Sequence, residues 1–141
     1  MKTLLSLALV FVAIATVAAD DTQKELKKLA GTWQTVSHTE QGVAKTADEI
    51  KGHTLVIDAD GKWKALKDSE VGIKGGSKLD PSKSPKEADW TIAGSDVVAL
   101  GIYEVDGDTL KHCFSLIKRP TEFGSKEGSN VIYIVLKRVK K

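Results

Sequence analysis

Three histidines and one cysteine are the side chains of this 141-residue chain with the most potential for chemistry. His38, His53 and His112 fall in separate apolar or alternating runs, without the close spacing of metal ligands. We therefore expect no metal site, and each histidine is more simply a surface residue or a hydrogen-bonded core residue. Cys113 follows His112 directly, but neighbouring side chains of a strand point to opposite faces, which excludes a nucleophile–base pair.

Other motifs resemble known sites without meeting their requirements. Asp58-Ala59-Asp60-Gly61 begins like a calcium loop but lacks the later oxygen ligands and the closing glutamate. The stretch GIKGGSK has the glycines of a phosphate loop, but its serine precedes its lysine and no helix is predicted after it. No GxSxG motif is present. The sequence therefore predicts no catalytic residue, no cofactor and no enzyme activity.

The first 19 residues have the three regions of a secretory signal peptide. A positive start at Lys2 precedes a mostly apolar stretch, Leu4 to Val17, which is too short to span a bilayer. Small residues end at Ala19, where we expect cleavage. This predicts a secreted or periplasmic domain of residues 20–141 with no membrane span; the alternative is a buried N-terminal helix.

The charges of the chain are nearly balanced, with 21 Lys and Arg against 19 Asp and Glu. Nucleic-acid binding requires a strongly basic face, so we expect no nucleic-acid partner. The single cysteine excludes an intrachain disulfide. The length suits one domain, which we expect to be monomeric.

Turn residues separate about eight short apolar or alternating runs. These predicted strands are Trp33–Thr39, His53–Asp58, Lys62–Lys67, Ser77–Asp80, Trp90–Ala93, Val97–Val105, Leu110–Ser115 and Val131–Val139. The stretch LDPSKSPKEAD is expected to connect two of them. A helix is predicted over Gln23–Ala30, starting at a Thr22–Glu25 capping box, and a weak helical pattern covers Thr46–Lys51. Parallel strands would need long crossovers, so the pattern predicts an all-β fold: an eight-stranded antiparallel up-and-down barrel preceded by a short helix.

Alternation within the strands assigns the inward-facing side chains. The predicted inner set is Trp63, Ala65, Trp90, Ile92, Val98, Leu100, Ile102, Leu110, His112, Phe114, Ile132, Ile134, Leu136 and Arg138. The first and last strands must meet to close the barrel, which would bring Trp33 near Arg138. The guanidinium could stack on the indole and hydrogen-bond the helix-end carbonyls near Gly31. Alternatively, Trp33 is plain core and Arg138 extends into solvent.

Nearly the whole of residues 20–141 resembles a family of secreted lipocalin-like domains of planctomycete bacteria. The stretches that carry the resemblance are ELKKLAGTW, LDPSKSPKEAD, GIYEVDGDTLKHCFS, RPTEFGSKEGS and VLKRVKK. A Gly31-x-Trp33 motif on the first strand and an arginine on the last also resemble the lipocalin and fatty-acid-binding-protein (calycin) superfamily. The resemblance implies a lipocalin-like barrel and brings no established activity.

The sequence favours two classes of function. The first is binding of a small apolar molecule inside the barrel, with His112, Trp63, Trp90 and Phe114 on its walls and Phe123 at its mouth. His112 would orient the polar end of that ligand. The second is a protein-interaction module, such as an inhibitor of a secreted protease, which would use the segment 20–30 against an exported partner. An enzyme is the least favoured class.

Overall fold

The computed structural model describes residues 20–140. Helix α1 spans residues 20–29 and the single-turn helix α2 spans Ala47–Ile50. The strands are β1 (Gly31–Glu40), β2 (Val43–Ala44), β3 (His53–Ile57), β4 (Trp63–Lys67), β5 (Glu70–Asp80), β6 (Lys86–Ile92), β7 (Val98–Asp106), β8 (Thr109–Ser115) and β9 (Ile132–Arg138). The predicted signal peptide, residues 1–19, lies outside the described residues.

Eight of the strands form a closed antiparallel barrel, which confirms the predicted fold class. From β3 to β9 each strand pairs with the next along the chain, β1 pairs with β3, and β1 also pairs with β9 to close the sheet. The short strand β2 folds back on the end of β1. Asp60-Gly61 and Asp106-Gly107, pairs typical of tight hairpin turns, connect β3 to β4 and β7 to β8, and in both the glycine has positive φ, at Gly61 (90°) and Gly107 (57°).

The closing pair of strands is held together by Arg138. Its register partner across the β1–β9 ladder is Trp33, and its guanidinium carbon lies 4.2 Å from the centroid of the Trp33 ring. The guanidinium also donates to the carbonyls of Ala30 (2.8 Å) and Lys28 (2.7 Å) at the end of α1. A Cβ on Gly31 would lie 2.8 Å from Nη1 of Arg138, so the glycine makes room for this approach. One side chain thus joins the first strand, the last strand and the helix end.

Helix α1 closes the end of the barrel beneath this contact. Leu26 and Leu29 are buried against Trp33, and the Trp33 indole N–H donates to the carbonyl of Leu29 at 2.8 Å. The same cluster contains buried residues from six other strands, Ile57, Leu79, Ala88, Tyr103, Leu110 and Leu136. Full burial of a leucine stabilises a fold by about 1.5–3 kcal/mol, so the two leucines hold the helix firmly.

A buried carboxylate also fastens α1 to the barrel wall. Glu25 accepts hydrogen bonds from Nζ of Lys86 (2.6 Å) and the hydroxyl of Tyr103 (3.2 Å). Burial by itself would raise the pKa of Glu25, but Lys86, together with Lys28 and Tyr103, holds that pKa below its usual value. Helix α1 already includes residues 20–22, so the predicted start of the helix at a Thr22–Glu25 capping box is wrong.

Several predicted strand limits need correction. The stretch LDPSKSPKEAD is largely strand rather than a connection, since β5 runs to Asp80 and β6 begins at Lys86. The apolar–polar alternation typical of a strand is interrupted here, because the inward-facing position 86 is a lysine. Its partner is Glu25 in α1, 61 residues away in the sequence. β5 is also longer than predicted and includes Gly75, where a Cβ would collide with the backbone of Thr91 on β6.

The predicted inner face of β7 is wrong. Ala99, Gly101 and Tyr103 face the interior, in place of Val98, Leu100 and Ile102. Ile102 is nevertheless fully buried, because it pairs with Cys113 on the outer face, where the segment between β8 and β9 covers it. Both faces of β7 therefore carry buried residues, and apolarity does not tell them apart.

A double-mutant cycle tests whether the closing contact stabilises the fold. Trp33→Phe and Arg138→Met should each lower the free energy of unfolding in urea, and the pair should show a coupling of about 0.5–2 kcal/mol. The coupling is expected because methionine carries no cation to stack and phenylalanine is a weaker cation–π partner than tryptophan. Trp90→Phe combined with Arg138→Met is the control, since Trp90 packs against His112 and Phe114 instead, and it should be additive. Additive losses for Trp33 and Arg138 would contradict the proposed role of the stack.

Candidate functional site: the barrel cavity

The barrel interior contains a cavity of about 400 Å³ on the side away from α1. All eight barrel strands contribute to its wall, and most of the lining side chains are apolar, such as Leu55, Ala65, Ile92 and Ile134. Towards α1 the interior is filled by the buried cluster around Trp33. The barrel is therefore packed at one end and hollow at the other.

One wall of the cavity is aromatic. The Trp90 ring meets His112 edge-on at 5.0 Å between centroids and Phe114 at 5.8 Å. Trp90 can lie flat against β7 because Gly101 has no side chain there; a Cβ at this position would collide with the indole. Trp63, on the other side, anchors its indole N–H to the carbonyl of Gly76 at 2.9 Å. The four predicted wall residues Trp63, Trp90, His112 and Phe114 thus line one space.

His38 and His53 also line this cavity, beside the predicted His112, and the sequence analysis did not place either of them there. His38 comes from β1, His53 from β3 and His112 from β8. The alternation of β3 could have revealed His53, since it shares a face with Leu55 and Ile57. The position of His38 could not be read in this way, because a register shift between Thr35 and Ser37 reverses the alternation of β1.

The three imidazoles have different partners. His38 contacts the carboxylate of Glu40 at 2.7 Å, and a carboxylate accepts, so Nε2 of His38 is the donor. Nε2 of His53 is buried and forms no hydrogen bond within residues 20–140. Among the same described residues, no hydrogen bond to a ring nitrogen of His112 is found, and its ring packs against Trp90 and Phe114. The cavity thus presents polar atoms that lack protein partners.

His112 is held in its neutral form. Burial, with a smaller contribution from the charge of His38, lowers the pKa of His112 to about 4. His38 and His112 share Ile134 as their register partner on β9, which explains why His38 acts on His112 across that strand. At neutral pH the His112 ring is therefore one hydrogen-bond donor and one acceptor facing the cavity.

The donor set does not form a metal centre. Within residues 20–140, no group of three or more His, Cys, Asp or Glu side chains is arranged to hold a metal ion. Cys113 points to the outer face, away from His112, as the strand alternation predicted, and its thiol donates to the carbonyl of Gly124 at 3.3 Å. Burial raises the pKa of this thiol, which disfavours the nucleophilic thiolate.

The cavity reaches the surface at the end of the barrel opposite α1. Ile73 and Leu116 line the cavity and are yet 51% and 62% exposed. Ile117, beside Leu116, is 73% exposed. These apolar side chains form a mouth between the start of β5 and the end of β8.

Phe123, predicted at the mouth, lies elsewhere. Its ring packs 6.2 Å from that of Tyr133, which alternates with the inward-facing Ile132 and Ile134 and so lies on the outer face of β9. The segment that carries Phe123 is tied down by Arg119, which donates to Asp89 (2.6 Å) and to the carbonyl of Gly101 (2.8 Å). The segment is therefore an outer cover of β6–β8, and Phe123 does not line the cavity.

Comparison with family models, curated proteins and solved structures finds no match to this chain. Among the described residues, no helix has the length and apolar character needed to cross a membrane. The main indication of function is therefore the geometry of the cavity.

The neutral His112 should make stability fall in mild acid. An unfolded histidine titrates near 6.5 and folded His112 near 4, so the unfolded state binds more protons between these values. Stability is therefore full above pH 6.5 and is lost as the pH falls towards 4, by up to about 3 kcal/mol at 1.36 kcal/mol per pKa unit.

Urea unfolding between pH 7.5 and 4.5 measures this loss. His112→Phe should show a flatter pH dependence than the unsubstituted protein. Lys111→Ala, a change at the neighbouring position on the other face, should keep the full dependence. Parallel curves for His112→Phe and the unsubstituted protein would show that His112 is not held neutral by the fold.

Proposed function

We propose that this protein binds a small, predominantly apolar molecule inside its barrel. The observation that carries the proposal is the cavity of about 400 Å³, whose wall is apolar apart from three histidines, two threonines and one serine. Pockets for small molecules typically measure about 300–1,000 Å³ and combine apolar walls with few polar groups. An eight-stranded barrel can be just filled by side chains, so an unfilled interior is informative.

The distribution of small side chains supports a cavity suited to a ligand. Ala65 on β4 and Ala99 on β7 line the cavity with small side chains, which leave space that larger residues at these positions would fill. The aromatic wall of Trp90 and Phe114 offers flat apolar contacts, for which edge-on and offset arrangements are favourable. A ligand that enters from water would bury its own apolar surface there.

His112 is the proposed polar contact. Its ring is fixed by Trp90 and Phe114 on two sides, at 5.0 and 5.2 Å between centroids, so its nitrogens have a defined direction. A buried polar atom without a partner is unfavourable, and a ligand group that hydrogen-bonds it would relieve this penalty. The exposed apolar residues Ile73 and Leu116 give such a ligand a path into the barrel.

Export is part of the proposal and rests on the sequence of residues 1–19. The positive start, the apolar stretch and the small residues before Ala19 are typical of a cleaved signal peptide. We propose that the barrel of residues 20–141 acts outside the cytoplasm, in the periplasm or beyond the cell, as a monomer.

A protein-interaction module is the second candidate. The exposed side chains of Leu116 and Ile117 favour it, because neighbouring exposed apolar residues often mark contact sites. From the sequence, the segment 20–30 is expected to contact such a partner. That segment would first have to leave the barrel end, since Leu26, Leu29 and Glu25 are buried there.

Titration with N-phenyl-1-naphthylamine, an uncharged dye that fluoresces in apolar surroundings, tests the binding proposal. We expect saturation at one dye per chain. Ala65→Phe should weaken binding at least tenfold because the added ring occupies the cavity. Lys64→Ala, which changes the neighbouring exposed side chain, is the matched control and should bind as the unsubstituted protein does.

Absence of dye binding, or equal binding by Ala65→Phe, would contradict a ligand site in the cavity and leave the interaction module as the better account. A His112→Val variant separates the polar contact from the cavity. Unchanged ligand binding by this variant would keep the cavity and remove His112 from its proposed role.

A further inference from the structure

The cavity wall carries no fixed charge. Among the described residues that line it, the polar side chains are three histidines, two threonines and one serine, and none is Asp, Glu, Lys or Arg. The cations that enter the interior at the closed end are already paired, Lys86 with Glu25 and Arg138 with the carbonyls of Lys28 and Ala30. An ionised ligand group would therefore lose its water without meeting a countercharge, which is strongly unfavourable.

His112 does not supply that countercharge at neutral pH. Burial and the neighbouring His38 lower the pKa of His112 to about 4. The rings of Trp90 and Phe114 that pack against His112 are uncharged, and Ile134 beside it is apolar. The Glu40 carboxylate, which binds His38, would repel an anionic ligand.

The unpartnered atoms instead match an uncharged group that both donates and accepts. Neutral His112 presents one N–H and one lone pair to the cavity, and Nε2 of His53 is a second unpartnered polar atom. Nε2 of His38 already donates to Glu40 and is therefore not available to a ligand. A hydroxyl group is the smallest group that can donate to one imidazole and accept from another.

On this basis, and resting on the proposed function, we infer that the barrel selects uncharged aromatic or alicyclic alcohols, phenols included, and discriminates against carboxylates of the same size. The aromatic wall receives the ring of the ligand, and His112 receives its hydroxyl. The discrimination comes from the absence of charge on the wall and from hydrogen bonds that only the hydroxyl completes.

Four probes of similar shape test this inference with the whole domain, residues 20–141, at pH 7.5: 2-naphthol, naphthalene, 2-naphthoate and methyl 2-naphthoate. Isothermal titration or displacement of N-phenyl-1-naphthylamine gives each dissociation constant. We expect 2-naphthol to bind at least tenfold more tightly than naphthalene or 2-naphthoate. The methyl ester, larger than the acid but uncharged, should also bind at least tenfold more tightly than 2-naphthoate.

His112→Phe should reduce the advantage of 2-naphthol over naphthalene to less than threefold while leaving naphthalene affinity within threefold. The comparison of probes on the unsubstituted protein stands even if this variant does not fold. Binding of 2-naphthoate as tight as that of 2-naphthol would overturn the inference and leave the proposed function intact. Failure of all four probes and of the dye would overturn both.

Discussion

The stacking of Arg138 on Trp33 is the contact on which the rest of the structure depends. A closed sheet needs its first and last strands to pair, and here the two residues face each other across that pairing. The same guanidinium donates to the carbonyls at the end of α1, so one side chain both closes the sheet and holds the helix that covers its end. An unclosed sheet would expose two strand edges, which are prone to pair with other chains.

The capped end determines where free volume remains. Leu26, Leu29 and the Trp33 indole fill the interior near α1, and the buried carboxylate of Glu25, paired with Lys86, fixes the helix there. Opening this end would expose the two leucines and leave Glu25 without its partners. The cavity is confined to the other end, where the side chains are smaller or aromatic and where three histidines project inward. Access to the cavity is therefore expected from the apolar mouth alone.

Much of this arrangement follows from local patterns in the sequence. The tight turns at Gly61 and Gly107, the alternating strands β4, β8 and β9, and the Trp33–Arg138 proximity could all be predicted, because each depends on spacing or on neighbouring residues. The shared location of the histidines could not be predicted, since a bulge in β1 turns His38 inward. The faces of β7 could not be predicted either, because a segment distant in the sequence covers Ile102 on the outer face. The inward position of Lys86 was also unpredictable, because its partner lies in α1.

Native mass spectrometry of the protein isolated from its own host, without detergent or organic solvent, tests the central claim most directly. The account predicts a chain mass equal to residues 20–141 and, on that chain, one additional small molecule that is released by collisional activation. The released molecule should be uncharged in solution at neutral pH and should be missing from an Ala65→Phe variant prepared in the same way. A bare chain in every preparation, or a ligand retained equally by Ala65→Phe, would contradict binding inside the barrel.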